Sequence, residues 1–267
     1  MSLLRCWPVL LLLAPPALAA SGDEGGSPFS PGAPPETLRE RGLVATGLKA
    51  VYPREAACPE ISSPFGSETR YDGSRRPFQA YGGLHSGMDI SCPEEGAPLL
   101  VIADGTLVHK VAGGRMVGNR VVFRHRPEDT GHPVWLYSAY QHLADMPELE
   151  IGAKVTAGQP IGACGRTGTV GGHYGAQGYA HLHLTVYLGP TAEYSTTGRS
   201  AIPVGGRFID PLAIYFGKAL DSDAVLAFPE AERIVVLPYR GPDGAPVPAG
   251  TRLVWPFACP ARRDGPP

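Results

Sequence analysis

His181-Leu182-His183-Leu184-Thr185-Val186-Tyr187-Leu188 alternates by twos. In an extended strand, residues two apart share a face. Leu182, Leu184 and Val186 therefore line one face and His181, His183 and Thr185 the other, which reads as a core-backed site. Shorter strand-like runs with Gly-rich breaks precede it: Pro98 to Ala103, Gly105 to Val111, Arg120 to His125, Val134 to Tyr140, Lys154 to Val155 and Gln159 to Ala163. Most are rich in Val, Ile, Leu or Tyr, and none carries a long stripe of period 3.6. The fold class this predicts is all-β, with antiparallel sheets joined by hairpins and longer loops. No repeat of roughly 20–50 residues marks a solenoid or propeller.

The chain has 267 residues, enough for one large domain with extensions and a substantial core. A net charge of -2 gives no basic field for nucleic acid. With Gly 35, Pro 29 and only 18% charged residues, the composition fits loop-rich β structure better than a helical bundle. Residues 1–20 read as a signal peptide: Arg5, an apolar centre from Val9 to Leu13, then the small-x-small site Ala17-Leu18-Ala19. An uncut N-terminal anchor is the alternative, but Pro8, Pro15 and Pro16 break the run and it is short for a bilayer span. The protein is expected to be exported, periplasmic or extracellular, without stable membrane insertion after cleavage. Export leaves Cys58, Cys92, Cys164 and Cys259, an even number in an oxidising compartment. Four cysteines allow three pairings; the one favoured here is Cys58 with Cys92 and Cys164 with Cys259. A four-thiolate zinc site would call for C-x-x-C spacing, which is absent.

Residues 21–50 read as a flexible Pro/Gly-rich linker, with one short helix or strand between Thr37 and Ala50. A main domain is expected over 51–217. Residues 218–267 form an extension: Asp221 to Ala231 is partly helical, then Arg233 to Pro238 and Thr251 to Phe257 flank a Gly/Pro/Asp-rich stretch as a β-hairpin. Such a tail could hardly hold a core alone without a staple, which Cys259 could supply.

Two histidine pairs carry the chemistry. His85 and Asp89 are four apart, His181 and His183 two apart, so in strands each pair can aim at one point. Imidazoles and a carboxylate are ordinary zinc ligands, and a catalytic zinc takes three protein ligands plus an open position. His85, Asp89 and one imidazole of the His-x-His pair would supply them. Among eight His either pair alone says little, but Gly82, Gly83 and Gly87 surround the first, where tight turning favours Gly. No His-Glu-x-x-His exists, so a helical site with a Glu base is excluded and imidazole is the best-suited base.

These motifs resemble the lysostaphin-type, or LytM-type, zinc metallopeptidases. Gly82-x-x-His85-x-Gly87-x-Asp89-Ile90 is similar to the family's first zinc motif. Gly96-Ala97-Pro98 and Val101 to Val108, then Arg120 to His125 and Tyr140-Gln141-His142-Leu143, follow its order. So do Ile151-Gly152 to Val155, Gly158 to Gly162, Gly165-Arg166-Thr167-Gly168 and Ala180-His181-Leu182-His183-Leu184, the likeness covering roughly residues 63–211. The resemblance implies a compact antiparallel β domain of the barrel-sandwich kind with an open substrate groove. It implies one zinc ion per chain on His85, Asp89 and His183. His142 and His181 would be the catalytic imidazoles that orient and deprotonate the attacking water and later serve the leaving amine.

The expected activity is that of an exported zinc metalloendopeptidase on peptidoglycan cross-links or stem peptides, working as a monomer. Its rivals are a catalytically silent regulator of wall hydrolysis on the same fold and a secreted endopeptidase acting on Gly-rich protein. The regulator is disfavoured because such relatives lack one or more of the five residues and this chain has them all. Two departures bear on specificity: the stretch from Gly168 to His181 is longer than usual, and Ala180 stands where Pro is common. His173 in that stretch, His109 and His132 are expected at the surface, and His125 to pack or hydrogen-bond. Tyr81 is either an oxyanion donor or a rim aromatic. Some members are kept latent by an Asn from a pro-region; the one Asn here, Asn119, follows the first motif. The tail is too short for a separate wall-binding module.

Overall fold

A computed structural model describes residues 27–170 and 178–262; the expected signal peptide and His173 lie outside the described residues. The main sheet comprises β1 (Ile61–Ser63), β2 (Met88–Ser91), β3 (Gly105–Val111), β4 (Asn119–His125), β5 (Trp135–Leu143), β6 (Lys154–Val155), β7 (His181–Gly189) and β8 (Arg207–Ile209). Its order is β1-β2-β7-β5-β4-β3-β6, with β8 beside Val186 to Leu188 of β7. Every pairing in it is antiparallel, as the expected class requires. The helices, Pro35–Glu40, Pro127–Thr130, Ala213–Phe216 and Ser222–Leu226, are short. No helix among the described residues is long and apolar enough to cross a membrane.

The period of two sorts the sheet into faces. Met88, Ile90, Val121, Phe123, Leu136, Tyr140, Leu182, Leu184 and Val186 are all buried in the larger core. The C-terminal extension covers that face with Leu253, Trp255 and Phe257. Each such side chain contributes about 1.5–3 kcal/mol of transfer free energy when fully buried. On the opposite face Val122, Tyr137, Ala139 and Tyr187 pack against Phe29, Leu38, Leu43 and Phe208. The N-terminal segment thus caps one end of this face and leaves the other for the histidines. From Ser27 onward it is not the solvated tail composition implied, because Phe29 sits edge-on to Tyr187 and beside Phe208.

The extension differs in detail from the expected hairpin. Ile234–Val236 pairs in parallel with Lys49–Val51, and the small ladder that forms joins Tyr239–Arg240 to Pro246–Val247. Residues 251–257 form no strand. They are held instead by Val254 N–H on the Ile102 carbonyl (2.9 Å) and Leu100 N–H on the Pro256 carbonyl (2.8 Å). The disulfides are Cys58–Cys259 and Cys92–Cys164, which corrects the favoured pairing. The returning extension sets Cys259 beside Cys58, where Ala57 N–H reaches the Pro260 carbonyl at 2.8 Å. Cys92, at the end of β2, meets the loop that leads to β7, where Gly96 N–H reaches the Cys164 carbonyl at 2.8 Å.

Candidate metal centre and groove

Asp89 of β2 and His183 of β7 are direct cross-strand neighbours. His85 enters through the turn before β2, which Gly87 makes possible: a Cβ there would stand 2.6 Å from both His183 Nε2 and the Leu184 carbonyl oxygen. His85 Nε2, Asp89 Oδ1 and His183 Nδ1 form a nearly equilateral triangle, with sides of 3.0, 2.9 and 3.0 Å. All three residues are buried.

The protons of this cluster are spoken for elsewhere. His85 Nδ1–H donates to the Pro64 carbonyl at 3.0 Å, and His183 Nε2–H donates to Thr185 Oγ1 at 3.1 Å. Three electron-rich atoms therefore converge with no proton between them, an arrangement that suits a cation. Tetrahedral zinc with bonds of about 2.0–2.1 Å needs donors about 3.3 Å apart, so the set fits with a small expansion. The outward hydrogen bonds match the support that metal-bound imidazoles require. Arg76 Nη2 lies 3.4 Å from Asp89 Oδ2 and donates to Ser63 Oγ at 2.9 Å, leaving Oδ1 for the cluster.

Burial opposes ionisation of Asp89, but the imidazoles of His85, His181 and His183 outweigh it and hold the carboxyl well below its usual value. Burial pushes His85 down, and takes His183 to about 4. Burial, then the proximity of His181 and His183, lowers His142 well below an ordinary imidazole.

His142 and His181 flank the triangle. Alternation along β5 would place His142 on the face opposite Gln141, yet both line the groove. The reason is a left-handed backbone at His142, φ 67°, rare and strained for a residue with a side chain. Its Nδ1–H donates to the Thr167 carbonyl at 2.7 Å, and His181 Nδ1–H donates to the Tyr179 carbonyl at 2.9 Å. In each ring Nε2 is left as the atom without a proton; that of His181 lies 3.6 Å from Asp89 Oδ1, and the two ring centroids are 4.7 Å apart. All five residues singled out in the sequence thus meet in one place.

Others were missed. Tyr179 stacks on the His181 ring at 4.5 Å and bonds Ser62 through its hydroxyl. Arg76 and Arg120 line the groove. Asn119 is structural: its side-chain amide donates to the Leu143 and Ala144 carbonyls at 3.2 Å each. Tyr81 lines the groove and packs edge-on to Phe208 at 6.2 Å, and burial raises its hydroxyl to about 12. His109 and His132 are only partly exposed, contrary to expectation. The ring of His132 donates to the Ile214 carbonyl at 2.8 Å, and His109 Nε2 is buried with no partner. His125 hydrogen-bonds as expected, to the Asp104 carbonyl and Ser138 Oγ, both at 2.7 Å.

Residues 83–194 match the family model described as peptidase family M23. None of the curated proteins matches the chain. Similar solved structures include the catalytic domain of the antimicrobial peptidase lysostaphin from Staphylococcus simulans, at 22% identity and TM-score 0.37, over 54% of this chain and 88% of that one. A zinc-containing peptidase from Vibrio cholerae is 24% identical, with TM-score 0.38, over 61% of this chain and 39% of that one. The catalytic domain of the prophage-encoded M23 protein EnpA from Enterococcus faecalis is 24% identical, with TM-score 0.33, over 51% of this chain and 91% of that one. The matched segment runs from just before His85 to just beyond His183 and includes every residue of the centre, so the whole site lies within the part of the chain that matches peptidase family M23.

Proposed function

We propose that the protein is an exported zinc metalloendopeptidase that hydrolyses peptide bonds in peptidoglycan cross-links or stem peptides. The observation that carries this reading is the triangle of His85, Asp89 and His183 beside two imidazoles whose Nε2 atoms are free. His85 Nε2, Asp89 Oδ1 and His183 Nδ1 would hold one zinc ion. When bound, zinc polarises the scissile carbonyl and makes water more acidic. Arg76 keeps the Asp89 carboxylate turned so that one oxygen faces the cluster. His142 and His181, fixed by their Nδ1 hydrogen bonds, orient the attacking water and take its proton at Nε2. As the C–N bond breaks, that proton passes to the leaving amine nitrogen. The two disulfides agree with export to an oxidising compartment.

Metal analysis of the purified protein at neutral pH should find one zinc per chain. His85→Ala and Asp89→Ala should lose it, whereas His142→Ala should keep the metal and lose release of muropeptides from purified sacculi. A wild-type protein without stoichiometric zinc refutes the proposal.

A further inference from the structure

Ser63, Asp89, His183 and Gln141 form one row across β1, β2, β7 and β5. On the next strand, β4, stands Arg120, lining the same groove and 5% exposed. Its guanidinium makes two long contacts with neutral groups: Nη1 to Gln141 Oε1 at 3.5 Å and Nη2 to Tyr187 Oη at 3.4 Å. Its Nε is buried with no partner. Among the described residues no carboxylate pairs with it. A buried charge is ordinarily matched by an opposite one, because losing water without such compensation is expensive. On β3 a second buried atom, His109 Nε2, also lacks a partner. Burial, then the charge of Arg120, holds that imidazole below its usual value, so the two groups feel each other.

Arg76 and Arg120 line the same groove, and among its described lining residues the carboxylate is Asp89. Asp89 already serves the centre and Arg76. The end near Arg120 is closed by Phe29 against Tyr187, which shields the guanidinium from water and strengthens any ion pair it makes.

We propose that Arg120 is a specificity-determining residue that receives a carboxylate of the peptide substrate, its planar fork taking both oxygens while Tyr187 Oη adds a donor. This rests on the peptidase reading above. β4 lies two strand spacings, roughly 10 Å, from β7. An extended peptide covers that distance in about three residues, so the recognised carboxylate lies within about three residues of the bond that is cut.

The test compares L-Ala–γ-D-Glu–L-Lys–D-Ala with both carboxyl groups free against the same peptide with both as primary amides, by calorimetric titration of the zinc-loaded full chain. Wild type should bind the free form about ten- to a hundredfold more tightly, the range for a charge-assisted hydrogen bond. Arg120→Met should bind both forms with the affinity of the amide, and Arg120→Lys should restore part of the difference. Equal binding of both forms by wild type, or an unchanged preference in Arg120→Met, overturns the inference while leaving the peptidase reading intact. If neither form binds and a cross-linked muropeptide is not cut, the peptidase reading falls and the inference with it. Should Arg120→Met fail to fold by circular dichroism, the wild-type comparison and Arg120→Lys decide.

Discussion

Asp210 lies fully buried beyond β8, away from the metal centre, and no charged group sets its ionisation. Burial raises its carboxyl from 3.8 to about 6, against the partial help of Thr46 and the Leu212 N–H. The folded value is above the unfolded one, so the stability this group contributes is fully present below about pH 4 and is lost as pH rises through 6. A gap of about two pH units at about 1.4 kcal/mol each makes that loss about 3 kcal/mol by pH 8. Asp210→Asn removes the titration and keeps an oxygen for Leu212 N–H, which donates to Asp210 Oδ1 at 2.9 Å. Its new N–H faces Thr46 Oγ1, which can accept. The assay is urea denaturation of both proteins from pH 4 to 8 with disulfides intact, read as the difference between them so that all other titrating groups cancel. That difference should move in favour of Asn by roughly 2–3 kcal/mol between pH 4 and pH 8, with its midpoint near pH 5, halfway between the unfolded and folded values. Parallel stability curves would refute the reasoning.

His125 should act in the opposite direction, because burial depresses it from 6.5 to about 4. Its contribution is present above 6.5 and lost as pH falls toward 4, by about 3 kcal/mol, and His125→Gln should flatten that acid limb in the same urea series. Gly87→Ala places a methyl against His183 and the Leu184 carbonyl, so metal content should fall at least about tenfold while far-ultraviolet circular dichroism is unchanged. Cys58→Ser with Cys259→Ser opens a closure of 201 residues, which chain entropy values at up to about 5 kcal/mol. A melting temperature unchanged from wild type would show that the extension is held by packing alone.

Strand periodicity made most of the central sheet legible. Gly105–Val111 and Lys154–Val155 have the expected limits, and β4, β5 and β7 differ from expectation by a few residues at their ends. Ile61–Ser63 and Met88–Ser91 escaped because three or four residues are too few to establish a period. Both are edge-side strands that depend on β7 for their place, and that pairing is tertiary. The same limit governs the disulfides: which thiols meet is decided by how the extension folds back across the core face, a route that spacing alone does not encode.

Four of the five central residues were visible because they fall in two local pairs, two or four residues apart, and metal chemistry restricts the residue types; His142 was reached through the family resemblance. What positions them was not visible, and His142 shows why. Alternation would turn it away from Gln141, and only the left-handed φ turns both toward the groove. That backbone is held from outside the strand: Thr167 accepts from the His142 ring, and Thr167 Oγ1 donates to the Leu143 carbonyl at 2.7 Å. Asn119 closes the arrangement, accepting from Gly113 N–H and giving its amide to the Leu143 and Ala144 carbonyls. Three segments thus share one hydrogen-bond network whose only local trace is a short Gly-Arg-Thr-Gly run. Arg120 left a plainer trace, a cation directly before the apolar run Val121-Val122-Phe123 of β4. A charge on the buried face of a strand has to be matched by some partner, and with no carboxylate among the described residues paired to it, attention turns to the ligand.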